Sequence, residues 1–352
     1  MKKLGILIEN NPYAEVGGKG KYPCLRALLG TYVAMAKLLD TKISFIVMNK
    51  ATLQVNKDIE NDVSYLDRIG VKYEILPFDT DSEFEYLVSG IMQYRPEWHY
   101  RVLDNLAKNT KNHLIYIDSD HEPTARATTV FNSIDKFNLC NVKNKLKYVL
   151  TNSCVTNNDW IKVAPNSTTL FLPLITHPYY KVTPRVQKSK IRGVVAMRTG
   201  KSKKVQDLIE KYDVKQIVPP GLFSKRLLNM DELHYLVGDY KVLLGTMMAN
   251  SGTGEYYRST TKVFEALHSG ALPTVMAYRD KDLTENRYPY LTTLPDELKI
   301  LTSEKNIDID KLEVCLSTNY PNHTELVDEL YRSVMVYHDE SNWVDTIESV
   351  FN

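Results

Sequence analysis

At 352 residues, with 43% apolar and 25% charged side chains, the chain is globular and long enough to organise two hydrophobic cores. A formal net charge of +1 gives it no global attraction for nucleic acid, so such a partner would need a local basic surface. The four cysteines (Cys24, Cys140, Cys154, Cys315) are scattered without a Cys-x-x-Cys pair, which argues against a disulfide framework or a thiolate zinc site.

The N-terminal apolar run is short and soon followed by charge, unlike a signal peptide. No stretch approaches the roughly 18 apolar residues of a membrane span. The expected setting is the cytoplasm, with no membrane partner and a monomeric chain.

From the N-terminus, Leu4 to Ile8 reads as a buried strand, Leu25 to Leu39 as a helix and Ile43 to Met48 as a second strand. Tyr73 to Pro77 reads as a third strand, followed by helical stretches near 81–93 and 97–108 and then the strand His113 to Asp118. Tyr148 to Leu150 and Thr169 to Leu172 are further short strands. Continuous apolar strands separated by helices predict a parallel sheet covered on both faces.

Residues 173–190 hold three prolines, four lysines or arginines with one histidine, and no acid, and read as an interdomain linker. Alternation then restarts. It runs through the strand Gly193 to Met197, the helix Lys203 to Tyr212, the strand Gln216 to Val218 and a Pro219-Pro220-Gly221 turn. A helix over 231–238, the strand Lys241 to Gly245, the helix Thr261 to Ser269 and the strand Ala271 to Met276 follow, with helices to the C-terminus. The expected class is α/β, in two Rossmann-like domains over 1–175 and 176–339, with a helix over 340–352 crossing back onto the first.

Four segments carry chemistry. In Tyr256 to Val275, Ser259, Thr260 and Thr261 sit where a helix begins and leave free N–H groups for phosphate. Lys262 and Glu265 are three apart on that helix, a cation for a diphosphate and a carboxylate for ribose hydroxyls. The bland alternative is a capped helix with a solvated Lys–Glu pair. In Val195 to Lys204, a strand ends at Arg198, and Gly200, Lys201 and Lys203 follow at the next helix start, which makes an anion site.

Gly17, Gly18 and Lys19 lie between the first strand and first helix, where glycines let backbone approach a ligand; the spacing is not that of a P-loop. Gly221 belongs with the donor-binding group. Asp118, Asp120, His121 and Glu122 lie at the end of the strand from His113, the place for a general base on an acceptor hydroxyl.

The 256–275 block resembles the donor-binding helix of GT-B glycosyltransferases, in which a cation–x–x–glutamate helix precedes a Gly-x-x-Pro strand start. The Arg198 loop resembles the diphosphate loop of the bacteriophage DNA glucosyltransferases, and the Val16-Gly17-Gly18 loop is similar to that of glycogen-synthase-like GT-B enzymes. The resemblance implies two domains facing each other across a cleft. It also implies transfer of a hexose, expected to be glucose, from a UDP-sugar to a hydroxymethylated pyrimidine in duplex DNA, in the host cytoplasm for a phage-encoded chain. Asp120 takes the base role, with His121, Glu122 and Asp118 on the acceptor side. Inverting and retaining outcomes stay open. No cofactor is required, with Mg²⁺ or Mn²⁺ as an optional aid.

Local basic stretches for DNA are Lys136 to Lys147, and the linker with Lys181, Arg185, Lys188, Lys190 and Arg192. Solvated lysine faces are the commoner meaning of such runs. Three rivals remain: a GT-B enzyme with a glycan, protein or small-molecule acceptor, a metal-dependent GT-A enzyme using Asp118-x-Asp120, and a non-enzymatic sugar-binding protein.

Overall fold

The computed structural model describes residues 2–8, 23–48, 63–90, 97–118, 132–151, 160–161, 164–185, 192–198, 203–218, 230–244, 261–277, 293–303 and 306–352. The chain divides into two compact units: unit 1 is Met1–Val182 with Asp339–Asn352, and unit 2 is Thr183–His338.

Unit 1 is built on seven strands: β1 Lys3–Ile8, β2 Lys42–Val47, β3 Tyr73–Pro77, β4 Tyr86–Ser89, β5 Leu114–Asp118, β6 Leu146–Thr151 and β7 Thr168–Phe171. They pair in the order β3-β2-β1-β4-β5-β6-β7, every neighbour parallel. The α/β class expected from the alternation is borne out. Strand order reverses between β1 and β4. Right-handed crossovers therefore send helix Pro23–Leu39 to one face and helix Glu97–Lys108 to the other, and leave a crevice at the carboxyl ends of these two strands.

Helix Pro23–Leu39 buries Leu25, Leu28, Leu29, Tyr32, Val33 and Ala36, a three-and-four spacing that keeps one stripe on the core. A side chain at Gly30 would strike the backbone carbonyls of Ile175 and Thr176, so glycine permits this close approach. Five helix or turn ends share one solution. Asp40, Gly70, Asn138, Asp213 and Gly270 all adopt positive φ, and the next residue's N–H reaches back to the last turn, as Thr41 does to Ala36 at 3.0 Å.

Unit 2 has a parallel sheet in the order β11-β10-β8-β9, from β8 Arg192–Arg198, β9 Lys215–Val218, β10 Tyr240–Leu244 and β11 Leu272–Pro273. A second sheet holds β12 Val275–Ala277, β13 Lys299–Ser303 and β14 Asn306–Ile307. Thr274 separates β11 from β12 by donating its N–H to Leu243 O at 3.0 Å.

Three expectations need correction. The stretch 81–93, expected as helix, contains the central strand β4, whose Leu87, Val88 and Ser89 are buried between β1 and β5. A short apolar run of this length fits a buried strand as well as a helix, and pairing on both edges decides it. The C-terminal part, expected as all helix, contains β13 and β14. Residues 173–182, expected as linker, fold into unit 1: Leu174, Ile175, Tyr179 and Tyr180 are buried, and Pro178–Val182 is a short helix.

The chain leaves unit 1 after Val182 and re-enters it at Asp339. The two points are adjacent: Lys181 Nζ lies 3.3 Å from Asp339 and 2.9 Å from Glu340, which also pairs with Lys37 at 2.9 Å. The final residues then cover the amino ends of β4 to β6. Tyr86 donates to Phe351 O at 3.0 Å, His113 Nε2 donates to Val350 O across 2.6 Å, and Lys147 donates to Asn352 O at 2.9 Å. The carboxyl edge of the sheet lies at the opposite end of the same strands.

Candidate functional site

In each unit the carboxyl edge at the strand-order reversal is the place where an open parallel sheet gathers loops around a ligand. In unit 2 the reversal lies between β8 and β10, which pair as Ala196 with Leu244. β8 ends at Arg198, and helix Lys203–Lys211 starts a few residues later with Lys203 exposed at its first position. The next described element after β10 is helix Thr261–His268, which leads into the parallel strand β11, so its N-terminus, with Thr261 and Lys262, starts at this edge of the sheet. Two helix N-termini and an arginine at a strand end thus belong to one edge, an arrangement suited to a diphosphate.

Glu265 lies in the second turn of that helix and is buried, with 4% of its surface exposed. The solvated Lys–Glu pair is therefore not what this carboxylate forms. Val263, Phe264, Ala266 and Leu267 around it are buried as well. The helix packs against β10, β11 and the helices Met230–Val237 and His323–Tyr337, so its described side chains are covered on several sides. A carboxylate kept in such surroundings costs stability unless it is partnered.

The far end of the same helix carries a histidine pair. His268 is buried, with its ring 4.9 Å from that of His234, whose Nδ1 lies 2.9 Å from Ser269 Oγ. Burial, then His234, then Arg185 push the His268 pKa down to about 3, so the ring is neutral. This end of the helix lies toward the amino edge of the sheet, away from the loops. It is structural.

In unit 1, β5 delivers Asp118 to the carboxyl edge, where it is buried and accepts the indole N–H of Trp160 at 2.6 Å. Trp160 is fully buried and packs on Tyr116 with ring centroids 5.1 Å apart. Asp118, expected on the acceptor side, is thus held by a side chain 42 positions away, which no local motif announces. Among the described residues, no group of three His, Cys, Asp or Glu side chains is placed to hold a metal ion.

Several expected site residues lie outside the described residues: Gly17, Gly18, Lys19, Asp120, His121, Glu122, Gly200, Lys201, Gly221, Ser259 and Thr260. Chain connectivity alone ties them to their strands. The segment with Gly17 and Gly18 follows β1, and that with Asp120 follows β5.

Several described residues of the basic stretches have local partners, while Lys188 and Lys190 lie outside the described residues. Lys143 pairs with Asp135 at 3.0 Å, Lys145 donates to the carbonyls of Lys111 and Asn112, and Lys147 donates to the C-terminal residue. Lys111, Asn112 and the C-terminal residues mark the amino edge of the sheet. In the linker stretch, Lys181 pairs with Asp339 and Glu340, while Arg185 pairs with Asp328 and lies over the Tyr331 ring.

No protein-family model matches the chain, and no curated protein matches it. Solved structures do match over its length. The glycotransferase of kitacinnamycin aligns over 100% of this chain and 99% of its own, with 9% identity and a TM-score of 0.46. A mutant of the Thermobaculum terrenum O-GlcNAc transferase aligns over 99% of this chain and 66% of its own, with 10% identity and a TM-score of 0.48. No helix among the described residues is long and apolar enough to cross a membrane.

Proposed function

We propose that the chain is a nucleotide-sugar-dependent glycosyltransferase of the GT-B kind, taking a UDP-hexose at the carboxyl edge of unit 2 and its acceptor at that of unit 1. The observation that carries this reading is Glu265, a buried carboxylate in the second turn of helix Thr261–His268, which packs on β10, the strand paired with β8. Its place suits a ribose contact, while the helix N-terminus, Lys262 and Arg198 suit the diphosphate. Charge building on the leaving diphosphate would meet preorganised N–H dipoles and cations. Asp120, two residues beyond Asp118 in sequence, is the proposed general base; a carboxylate serves in that role where a low dielectric raises its pKa toward the working pH.

For the acceptor, the resemblance implies hydroxymethylated pyrimidine in duplex DNA. The carboxylate partners of Lys143, Lys181 and Arg185 favour the second acceptor reading, a glycan, protein or small molecule.

The test is hydrolysis and transfer with a panel of UDP-sugars, each with and without hydroxymethylcytosine DNA and with neutral oligosaccharides. Turnover of one donor, accelerated by one acceptor class, is the expected result. Glu265→Ala should weaken UDP binding and Asp120→Asn should abolish transfer while donor affinity persists. If no nucleotide sugar is bound or cleaved, the reading fails.

A further inference from the structure

We propose that Trp98 is a sugar-stacking platform that takes a ring of the acceptor at the carboxyl edge of unit 1. This rests on the glycosyltransferase reading for its role in catalysis, although not for the binding itself.

Trp98 is the second residue of helix Glu97–Lys108 and keeps 43% of its surface exposed. It is the only large apolar side chain of that helix so exposed; Tyr100, Leu103, Leu106 and Ala107 are buried. The helix leads from β4 into β5, so its N-terminus lies at the carboxyl edge of the sheet. Phe78 directly follows the end of β3 and meets Trp98 with centroids 6.0 Å apart and planes at 58°. His99 closes on the indole at 3.9 Å and 73°.

Phe78 is itself anchored on a buried cluster that includes Met48, just past the end of β2, and Tyr100. Contacts with Phe78 and His99 position the indole before any ligand arrives, which lowers the entropic cost of stacking on it.

The nearby chemistry selects the ligand. The exposed Asp79 and Asp81 follow Phe78 in sequence and supply the acidic groups, while Glu97, before Trp98, is balanced by Arg101 at 2.9 Å. Carboxylates accept hydroxyl protons, and they repel phosphates. An aromatic face attracts the weakly positive C–H groups of a sugar ring. One exposed ring is also far less surface than the ~800 Å² that a stable protein partner buries on each side. A neutral, hydroxyl-rich ring satisfies all three conditions, and a nucleic-acid strand satisfies only the stacking one.

The experiment follows tryptophan emission during titration with neutral oligosaccharides of glucose, of N-acetylglucosamine and of galactose, and with a hydroxymethylcytosine oligonucleotide. The native chain should show a saturable change with an oligosaccharide that is lost in Trp98→Phe, whose remaining indoles are Trp160 and Trp343. By calorimetry, Trp98→Ala should raise the oligosaccharide Kd about tenfold, and Tyr235→Ala on unit 2 should leave it unchanged. The platform is overturned by an unchanged Kd in a folded Trp98→Ala, by an emission change that persists in Trp98→Phe, by no response to any oligosaccharide, or by a response to the oligonucleotide alone. UDP-sugar binding is measured in parallel by dialysis. Donor binding without a saccharide response sinks the platform and spares the transferase; a saccharide response without donor binding does the reverse.

Discussion

Trp160 donates its indole N–H to Asp118 across 2.6 Å, joining a fully buried ring to the last residue of β5. The bond fixes the point from which the segment carrying Asp120 departs. Trp160→Phe keeps an aromatic ring and removes one hydrogen-bond donor to the buried Asp118 carboxylate. The expected loss is about 2 kcal/mol of unfolding free energy, read by denaturant melts. Equal midpoints for the variant and the native chain would refute it.

Glu74 ties three strands together. It accepts from Lys42 at 2.6 Å and Ser44 at 2.7 Å and pairs with Lys3 at 3.1 Å. Burial alone would raise its pKa, but these three partners outweigh it and pull the value down to about 2. A carboxyl depressed in the folded state stabilises above its unfolded pKa, and that contribution is lost as pH falls from about 4.5 toward 2. Glu74→Gln should therefore lower the melting temperature at pH 7, and the gap from the native chain should close near pH 2. A gap that is the same at both pH values would count against this network.

His268 works in the opposite sense to a stabilising histidine. With its folded pKa lowered from 6.5 to about 3, the unfolded chain binds the extra proton between those values. Stability should fall as pH drops below 6.5, by at most about 1.4 kcal/mol per pH unit from this group. His268→Gln should flatten the slope between pH 7 and 5, measured by urea unfolding. An unchanged slope would show that the ring titrates normally.

Gly30→Ala places a methyl group against the carbonyls of Ile175 and Thr176, which are backbone and cannot swing aside. The expected cost is about 3 kcal/mol, with helix Pro23–Leu39 losing amide-exchange protection along the face toward that segment. Native-like melting of the variant would mean that the helix shifts freely.

The strands from β1 to β3 and from β5 to β10 were legible because buried parallel strands read as continuous apolar runs bounded by polar turns. β4 was not, since the apolar run around Tyr86 to Ser89 fits a buried helix segment as well as a strand, and its identity comes from strands on both sides. The helix ends at Asp40, Asn138 and Asp213 use left-handed backbone without glycine, so the usual stop signal is missing there. At the candidate site, spacing placed Lys262 and Glu265 on one helix, yet could not say that elements far along the chain would bury Glu265. Trp160 escaped notice for a similar reason: its link to Asp118 exists only once β5 and the chain beyond β6 are folded together. Trp98 had no motif at all; its exposure is visible only in three dimensions.

The chain leaves unit 1 at Val182 and returns at Asp339, and Lys181 reaches across both points. In topological terms unit 2 is a guest inserted into a host, with its two ends side by side. All seven described strands of the host sheet precede the insertion, and a short 3-10 helix and the closing helix Val344–Ser349 follow it. A short turn joining Val182 to Asp339 would therefore preserve every strand pairing of unit 1, and the guest can diversify or be exchanged without rewriting the host.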